Sequence, residues 1–326
     1  MTDLVTDLAT NLVVNLPIPE SGHDFDTIFS TREACLAAVV NVRWPDGFVC
    51  PKCGHRHAWL HHKRPILECS RCGKQTCPLA ETMFANTKLP LPKLFKLCYL
   101  IVASKAGISE LELARQAGVS PPTATLWKRK LRFVMARRDK TPLEGVVETD
   151  ETIIGGRDTD SKGRKLGSSK ALVVISVEDD NGKCGRVRLQ AVDTASREDL
   201  RRVVAEHVKP GSTLRTDGWT GYRGMPDVRH KPETLRSGKQ AHVKLPLVHR
   251  VASLVKRHIL GILHGSWRPE WLGWLLEEWE YRFNRRNAKR RPLLFERLLT
   301  WGATERSPTR KDWHDYTTAA RELQST

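Results

Sequence analysis

Three features of this 326-residue sequence predict an α/β protein with two small modules ahead of its main domain. Two glycine-flanked C-x-x-C pairs occupy residues 50–53 and 69–72. A helical hairpin whose second helix opens on proline follows at 107–138. From residue 145 the apolar spacing changes from helical to period two. The length allows two or three domains, and an apolar content of 40% supplies their cores. The expected organisation is a flexible acidic leader (1–30), a ribbon (31–85), a helix-turn-helix (90–140), an α/β domain (144–300) and a tail (301–326).

Cys50-Pro51-Lys52-Cys53 and Cys69-Ser70-Arg71-Cys72 are each followed by glycine, Gly54 and Gly73, with residues 54–68 between them. In such a knuckle both thiolates point at one ion. Two knuckles complete a closed tetrahedral S₄ site, so Cys50, Cys53, Cys69 and Cys72 are read as structural Zn²⁺ ligands. The intervening histidines 55, 57, 61 and 62 read as loop residues, and Cys35, Cys77, Cys98 and Cys184 have no paired spacing.

Residues 93–106 are apolar at helical spacing. Beyond them Leu111, Ala114 and Ala117 repeat at helical spacing, Gly118-Val119-Ser120 makes a break, and Ser120-Pro121 reads as an N-cap followed by proline at the first helical position. The second helix is expected to carry Lys128 and Arg129 outward toward DNA and to pack on Leu126, Trp127 and Leu131.

The strand "GVVETDETIIGG" places Glu148 and Asp150 on one face. Two further strands join at Asp180-Asn181-Gly182, a hairpin signal. A helix capped by Thr194 or Ser196 comes next, and then a short strand ending at Asp217. The order strand, strand, strand, helix, strand, helix is that of an RNase H-like fold, in which the first and fourth strands are neighbours. Asp150 and Asp217 would then meet as hard ligands for divalent cations. Farther on, tryptophans 267, 271 and 274 with Leu275 and Glu278 fall at helical spacing and read as core.

Charge points to the partner. Lys and Arg number 54 against 37 Asp and Glu, a formal +17; residues 1–30 hold five acids and no Lys or Arg, which leaves +22 for the remainder. A polyanion, nucleic acid foremost, is the expected ligand. Arg282, Arg285, Arg286, Lys289, Arg290 and Arg291 form the densest basic run, and Arg285, Arg286 and Arg290 are expected on DNA backbone. No run approaches 18 apolar residues and the N-terminus has no basic n-region, so a cytoplasmic protein without a membrane partner is expected.

"CPKCG…CSRCGKQ", "ETMFANTKLPLPKLF", "VETDETIIGG", "LRTDGWTGY" and "EEWEYRFNRR" together resemble bacterial insertion-sequence transposases of the DDE superfamily, in the family numbered 1595, over about residues 33–300. The resemblance implies a transposase that binds terminal inverted repeats, cleaves DNA 3′ ends and transfers the strand, using Mg²⁺ or Mn²⁺, as at least a dimer. It assigns the first two catalytic positions to Asp150 and Asp217. At the third, where the family has an acid, Asn or His followed seven residues later by Lys, this chain has His249 and Lys256 in "LPLVHRVASLVKRHILG". Helical spacing puts His249, Ser253 and Lys256 on one face. Glutamates 270, 277, 278 and 280 remain open as an alternative third acid. Two other functions stay open: a DNA-binding regulator derived from an inactive transposase, and a nuclease for RNA–DNA hybrids.

Overall fold

A computed structural model describes residues 18–61, 64–104, 107–136, 140–155, 170–233, 241–263, 269–287, 292–309 and 311–312. The chain divides into two compact units, Met1–Val134 with Ala288–Thr309, and Met135–Asn287 with Arg310–Thr326.

The first unit opens with α1 (Gly22–Ile28) and α2 (Arg32–Arg43). Ser21 starts α1 with a capping box: its hydroxyl accepts from the Asp24 amide at 3.1 Å, and the Asp24 carboxylate accepts from the Ser21 amide at 3.0 Å. Phe25 on this helix and Phe29 just past its end are buried. The end of the acidic leader is therefore ordered structure, against the expectation of flexibility, because it contributes two aromatic side chains to a core; residues 1–17 lie outside the described residues.

Strands β1 (Ala58–Leu60), β2 (Leu67–Cys69) and β3 (Gln75–Thr76) form the antiparallel ribbon sheet. Helices α3 (Leu91–Ala103), α4 (Glu110–Ala117) and α5 (Pro121–Ala136) follow. Gly118 ends α4 in the left-handed region at φ 62°, and the Ser120 hydroxyl accepts from the Thr123 amide at the start of α5. Leu113, Ala114 and Ala117 are the buried face of α4, while Leu111 is exposed; the helical phase lies one step from the one read from Leu111.

In the second unit, β4 (Val146–Gly155), β5 (Lys170–Asp180) and β6 (Lys183–Val192) are antiparallel neighbours, with Asn181 and Gly182 at φ 53° and 78° in the tight turn between β5 and β6. After α6 (Arg197–His207), β7 (Thr213–Thr216) runs parallel to β4, and β8 (Arg229–Pro232) extends the sheet parallel to β7. The order β6-β5-β4-β7-β8 is the RNase H-like arrangement, first and fourth strands adjacent. The fifth strand is absent from the sequence reading. One face of the sheet packs on α8 (Pro246–Leu263), which follows the short α7 (Ala241–Lys244), and on α9 (Pro269–Asn284); the other face packs on α6.

The last helix, α10 (Pro292–Thr304), returns to the first unit, where it packs on α2 and α3. Phe295 meets Phe25, Phe29, Phe95 and Tyr99 with ring centroids 5.4–6.0 Å apart. The expected limit of the α/β domain at 300 is thus displaced, because the apolar face formed by Leu294, Phe295, Leu298 and Leu299 completes the N-terminal core.

Candidate active site and metal centres

The four ribbon cysteines are free thiols whose sulfurs lie within 4.8 Å of one another. Cys50 Sγ to Cys72 Sγ and Cys53 Sγ to Cys69 Sγ are each 3.6 Å. A tetrahedron with Zn–S bonds near 2.3 Å has edges of about 3.8 Å, so the donor set fits Zn²⁺. The backbone preorganises both knuckles alike. Gly54 and Gly73 adopt φ 69° and 67°, and their amides donate to the Cys50 and Cys69 carbonyls at 2.9 Å. His55 lies 3.0 Å from the Ser70 hydroxyl and His57 packs edge-on to Trp59; His62 lies outside the described residues.

The second site is built where β4 and β7 run side by side. Register pairs Glu148 with Arg215, so Asp150, midway along β4, and Asp217, just past the end of β7, stand two residues beyond that pair at the same level of adjacent strands. Asp150 is mostly buried. Its Oδ1 accepts from the Glu151 amide at 2.9 Å, and its Oδ2 lies 3.7 Å from His249 Nε2 on α8. Burial first, then the Glu151 and Asp217 charges, push the Asp150 carboxyl up to about 7. Asp217 caps its own turn, its Oδ1 accepting from the Trp219 amide at 2.9 Å, with Gly218 left-handed at φ 83°.

Ser253, one turn along α8 from His249, donates to the His249 carbonyl at 3.0 Å. Lys256 sits another turn on, exposed at the surface, with burial lowering and the Asp150 charge raising its pKa. Among the described residues the cysteine cluster is the one place where three or more ligand atoms crowd within 4.8 Å; Asp150, Asp217 and His249 are set more openly.

Three of the alternative third acids have other partners. Glu277 pairs with Lys140, Glu278 with Arg282 at 3.0 Å, and Glu280 with Arg188. The Glu270 side chain lies outside the described residues. Glu151, on the opposite face of β4 from Asp150, is directed toward the fully buried Tyr222. Burial chiefly raises both pKa values, and the Glu151 charge raises the phenol further.

Two groups under the site were not singled out as functional from sequence. Glu148 is fully buried, and Arg215 bonds to it from β7 at 3.1 Å. Burial raises the Glu148 pKa, opposed by hydrogen bonds from the Val248 and Leu247 amides and by the Arg215 charge. The signal available in the sequence was their common offset, each standing two residues before a proposed ligand on a strand.

The expected DNA contacts divide. Lys128 is 1% exposed and donates to the Ile108 carbonyl at 2.5 Å, so it fastens α5 to the loop before α4 and does not face outward. It lies between buried Ala124 and Leu131 on the inward phase of the helix, while Leu126 faces solvent and Arg129 is half-buried. Arg286 donates to the Cys184 and Gly185 carbonyls, holding the end of α9 to β6. Arg285 stacks on Tyr281 with its guanidinium 4.2 Å from the ring. Arg290 lies outside the described residues. Density of charge did not distinguish guanidiniums used inside the unit from those left for a ligand.

Residues 142–284 match the ISXO2-like transposase domain, and residues 30–75 match the transposase zinc-ribbon domain, together more than half of the chain. No curated protein matches this chain. Among solved structures it is similar to a chain of a pre-cleavage Mos1 transpososome, at 11% identity over 69% of this chain and 77% of that one, with a TM-score of 0.26.

Proposed function

The chain belongs to the ISXO2-like transposases, and from that premise we propose that it binds the terminal inverted repeats of an insertion sequence, cleaves at DNA 3′ ends and joins the freed ends to target DNA. The observation that carries this reading is the pair of carboxylates on adjacent parallel strands, Asp150 midway along β4 and Asp217 just past the end of β7, with a helix that brings His249 to within 3.7 Å of Asp150. The donor chemistry suits a divalent cation. Asp150 is pushed up to about 7 by burial and two neighbouring acids, a cost that a bound cation removes.

Asp150, Asp217 and His249 would hold that cation, Mg²⁺ or Mn²⁺. When bound, it supplies Lewis-acid polarisation of the phosphodiester and an acidified water. Imidazole is a softer ligand than carboxylate and brings no negative charge, so the set favours Mn²⁺ over Mg²⁺ more than three carboxylates would. Lys256 places an ammonium at the exposed edge of the site, where it pairs with a DNA phosphate as a point charge. The α4–α5 hairpin and the ribbon, with the basic body, supply duplex binding. Two transposon ends must meet in one complex, so the working form is at least a dimer.

The test is cleavage and joining of a terminal-repeat duplex with Mg²⁺ or Mn²⁺. Asp150→Ala and Asp217→Ala are expected to lose at least a hundredfold in both steps while keeping DNA affinity. Unchanged cleavage in both variants refutes the assignment. A second reading, a DNA-binding regulator without catalysis, is favoured by a histidine, His249, in place of an acid at the third position; wild-type protein that binds repeats but nicks nothing with either cation would establish it.

A further inference from the structure

The geometry points to Glu148 and Arg215 as a buried clamp that positions the three segments carrying the proposed ligands, so that Glu148 sets where His249 and Lys256 stand relative to Asp150. This deepens the proposed function and rests on its placing of the site at Asp150, Asp217 and His249.

Glu148 stands two residues before Asp150 on β4, and Arg215 two residues before Asp217 on β7; the two are direct partners in the parallel ladder. Side chains two apart share a face, so the clamp lies one layer below the site, on the face covered by α8. One Glu148 oxygen, Oε2, accepts from the Leu247 amide at 2.8 Å and the Val248 amide at 3.1 Å, two of the otherwise unsatisfied donors in the first turn of α8. The other, Oε1, accepts from Arg215 at 3.1 Å. Arg215 also donates to the Lys244 carbonyl at 2.7 Å, on the segment that leads into α8, and meets Glu233 after β8 at 3.4 Å.

One carboxylate from the central strand thus acts as the N-terminal cap of a helix 99 residues away in sequence. Capping groups are ordinarily local, within three residues of the helix start. A remote cap fixes the helix against the sheet as well as starting it, and His249 follows immediately after Val248. The amide bonds set its height and phase over Asp150, while Arg215 holds β7 and the chain before α8 to the same carboxylate. A hydrophobic pair at 148 and 215 would fill the same space without a directional bond to α8.

The experiment uses the full-length protein with Glu148→Gln, Glu148→Ala and Arg215→Gln. Amide exchange is followed in peptides covering 245–256 and 197–207, Mn²⁺ binding by electron paramagnetic resonance, and nicking on the terminal-repeat duplex. In Glu148→Ala, exchange in 245–256 is expected to rise at least tenfold with 197–207 unchanged, Mn²⁺ binding to weaken at least tenfold, and turnover to fall without loss of DNA affinity. Glu148→Gln keeps one acceptor and is expected to fall between. A uniform rise across both peptides in Glu148→Gln overturns the clamp, since Glu148 would then only support the fold. Faster exchange in 245–256 with Mn²⁺ binding unchanged overturns it too. Wild-type protein that never nicks defeats the proposed reaction, whereas the exchange and Mn²⁺ measurements still decide the clamp.

Discussion

Period two along β4 sends Glu148 and Asp150 toward α8 and sends Thr149 and Glu151 toward the α6 face, and the polar residues on that second face are as informative as the acids. Thr149 donates to the Ser176 hydroxyl at 3.0 Å, and Ser176 lies 3.2 Å from Nδ1 of His207, buried at the end of α6. Burial chiefly, and then the Arg188 and Lys140 charges, lower the His207 pKa to about 3. An unfolded histidine takes up its proton near pH 6.5. Between 6.5 and about 3 the unfolded chain therefore binds a proton that the folded chain refuses, and stability falls as pH falls. The slope from this group is about 1.4 kcal/mol per pH unit. His207→Gln is expected to lower stability at pH 7.5 and to flatten the acid-side slope by about that amount, read by urea denaturation at pH 7.5, 6 and 5. Parallel slopes in the two proteins would contradict the assignment. From sequence His207 was one more residue of an amphipathic helix; its role depends on a strand 31 residues earlier, which no local pattern carries.

At the scale of elements, legibility followed locality. The ribbon was readable because its four ligands and both knuckle glycines lie within 24 residues and each knuckle closes on itself. The β5–β6 turn and the α4–α5 break were readable for the same reason, through Asn181-Gly182 and Gly118 with Ser120-Pro121. Strand β8, "RHKP", was not: it is polar, four residues long and ends in proline, and it is a strand because β7 offers it a parallel edge. The ribbon's own core is small, formed by Val40, Phe48, Ala58 and Leu67 with the cysteines Cys50 and Cys69. So little apolar area does not hold a fold without a metal or disulfides. Chelation is expected to release one zinc per chain and open residues 44–76 to protease, leaving amide exchange in β4–β6 unchanged. Cys72→Ser should behave likewise without chelator. A ribbon that stays protease-resistant after its zinc is gone would show that the sheet stands on packing.

For the whole molecule, the path of the chain matters more than the order of its modules. Helices far apart in the chain build the first unit: α1 contributes Phe25, with Phe29 just past its end, and α10, some 270 residues later, contributes Phe295, Leu298 and Leu299. The sequence reading assigned residues up to 300, and so most of α10, to the α/β domain; the helix joins the other core, and nothing in its local pattern distinguishes one apolar seat from another. Its seat is specific. The Met83 amide donates to the Gly302 carbonyl at 2.8 Å, and a Cβ on Gly302 would come within 2.7 Å of Phe84. Phe295 is fully buried among four aromatic rings, and deleting such a side chain typically costs about 3–5 kcal/mol. In the full chain, Phe295→Ala is expected to speed amide exchange in α1, α2 and α3 while leaving β4 and β5 protected. Gly302→Ala should act in the same direction through its clash with Phe84. Equal loosening of both units would mean that α10 does not belong to one core, and no loosening of α1–α3 would mean that the N-terminal helices hold together without it. The expected result carries a consequence for cutting the protein into parts: a fragment ending near 136 lacks the helix that covers Phe25, Phe29 and Phe95, and its failure to fold would say nothing about its affinity for DNA.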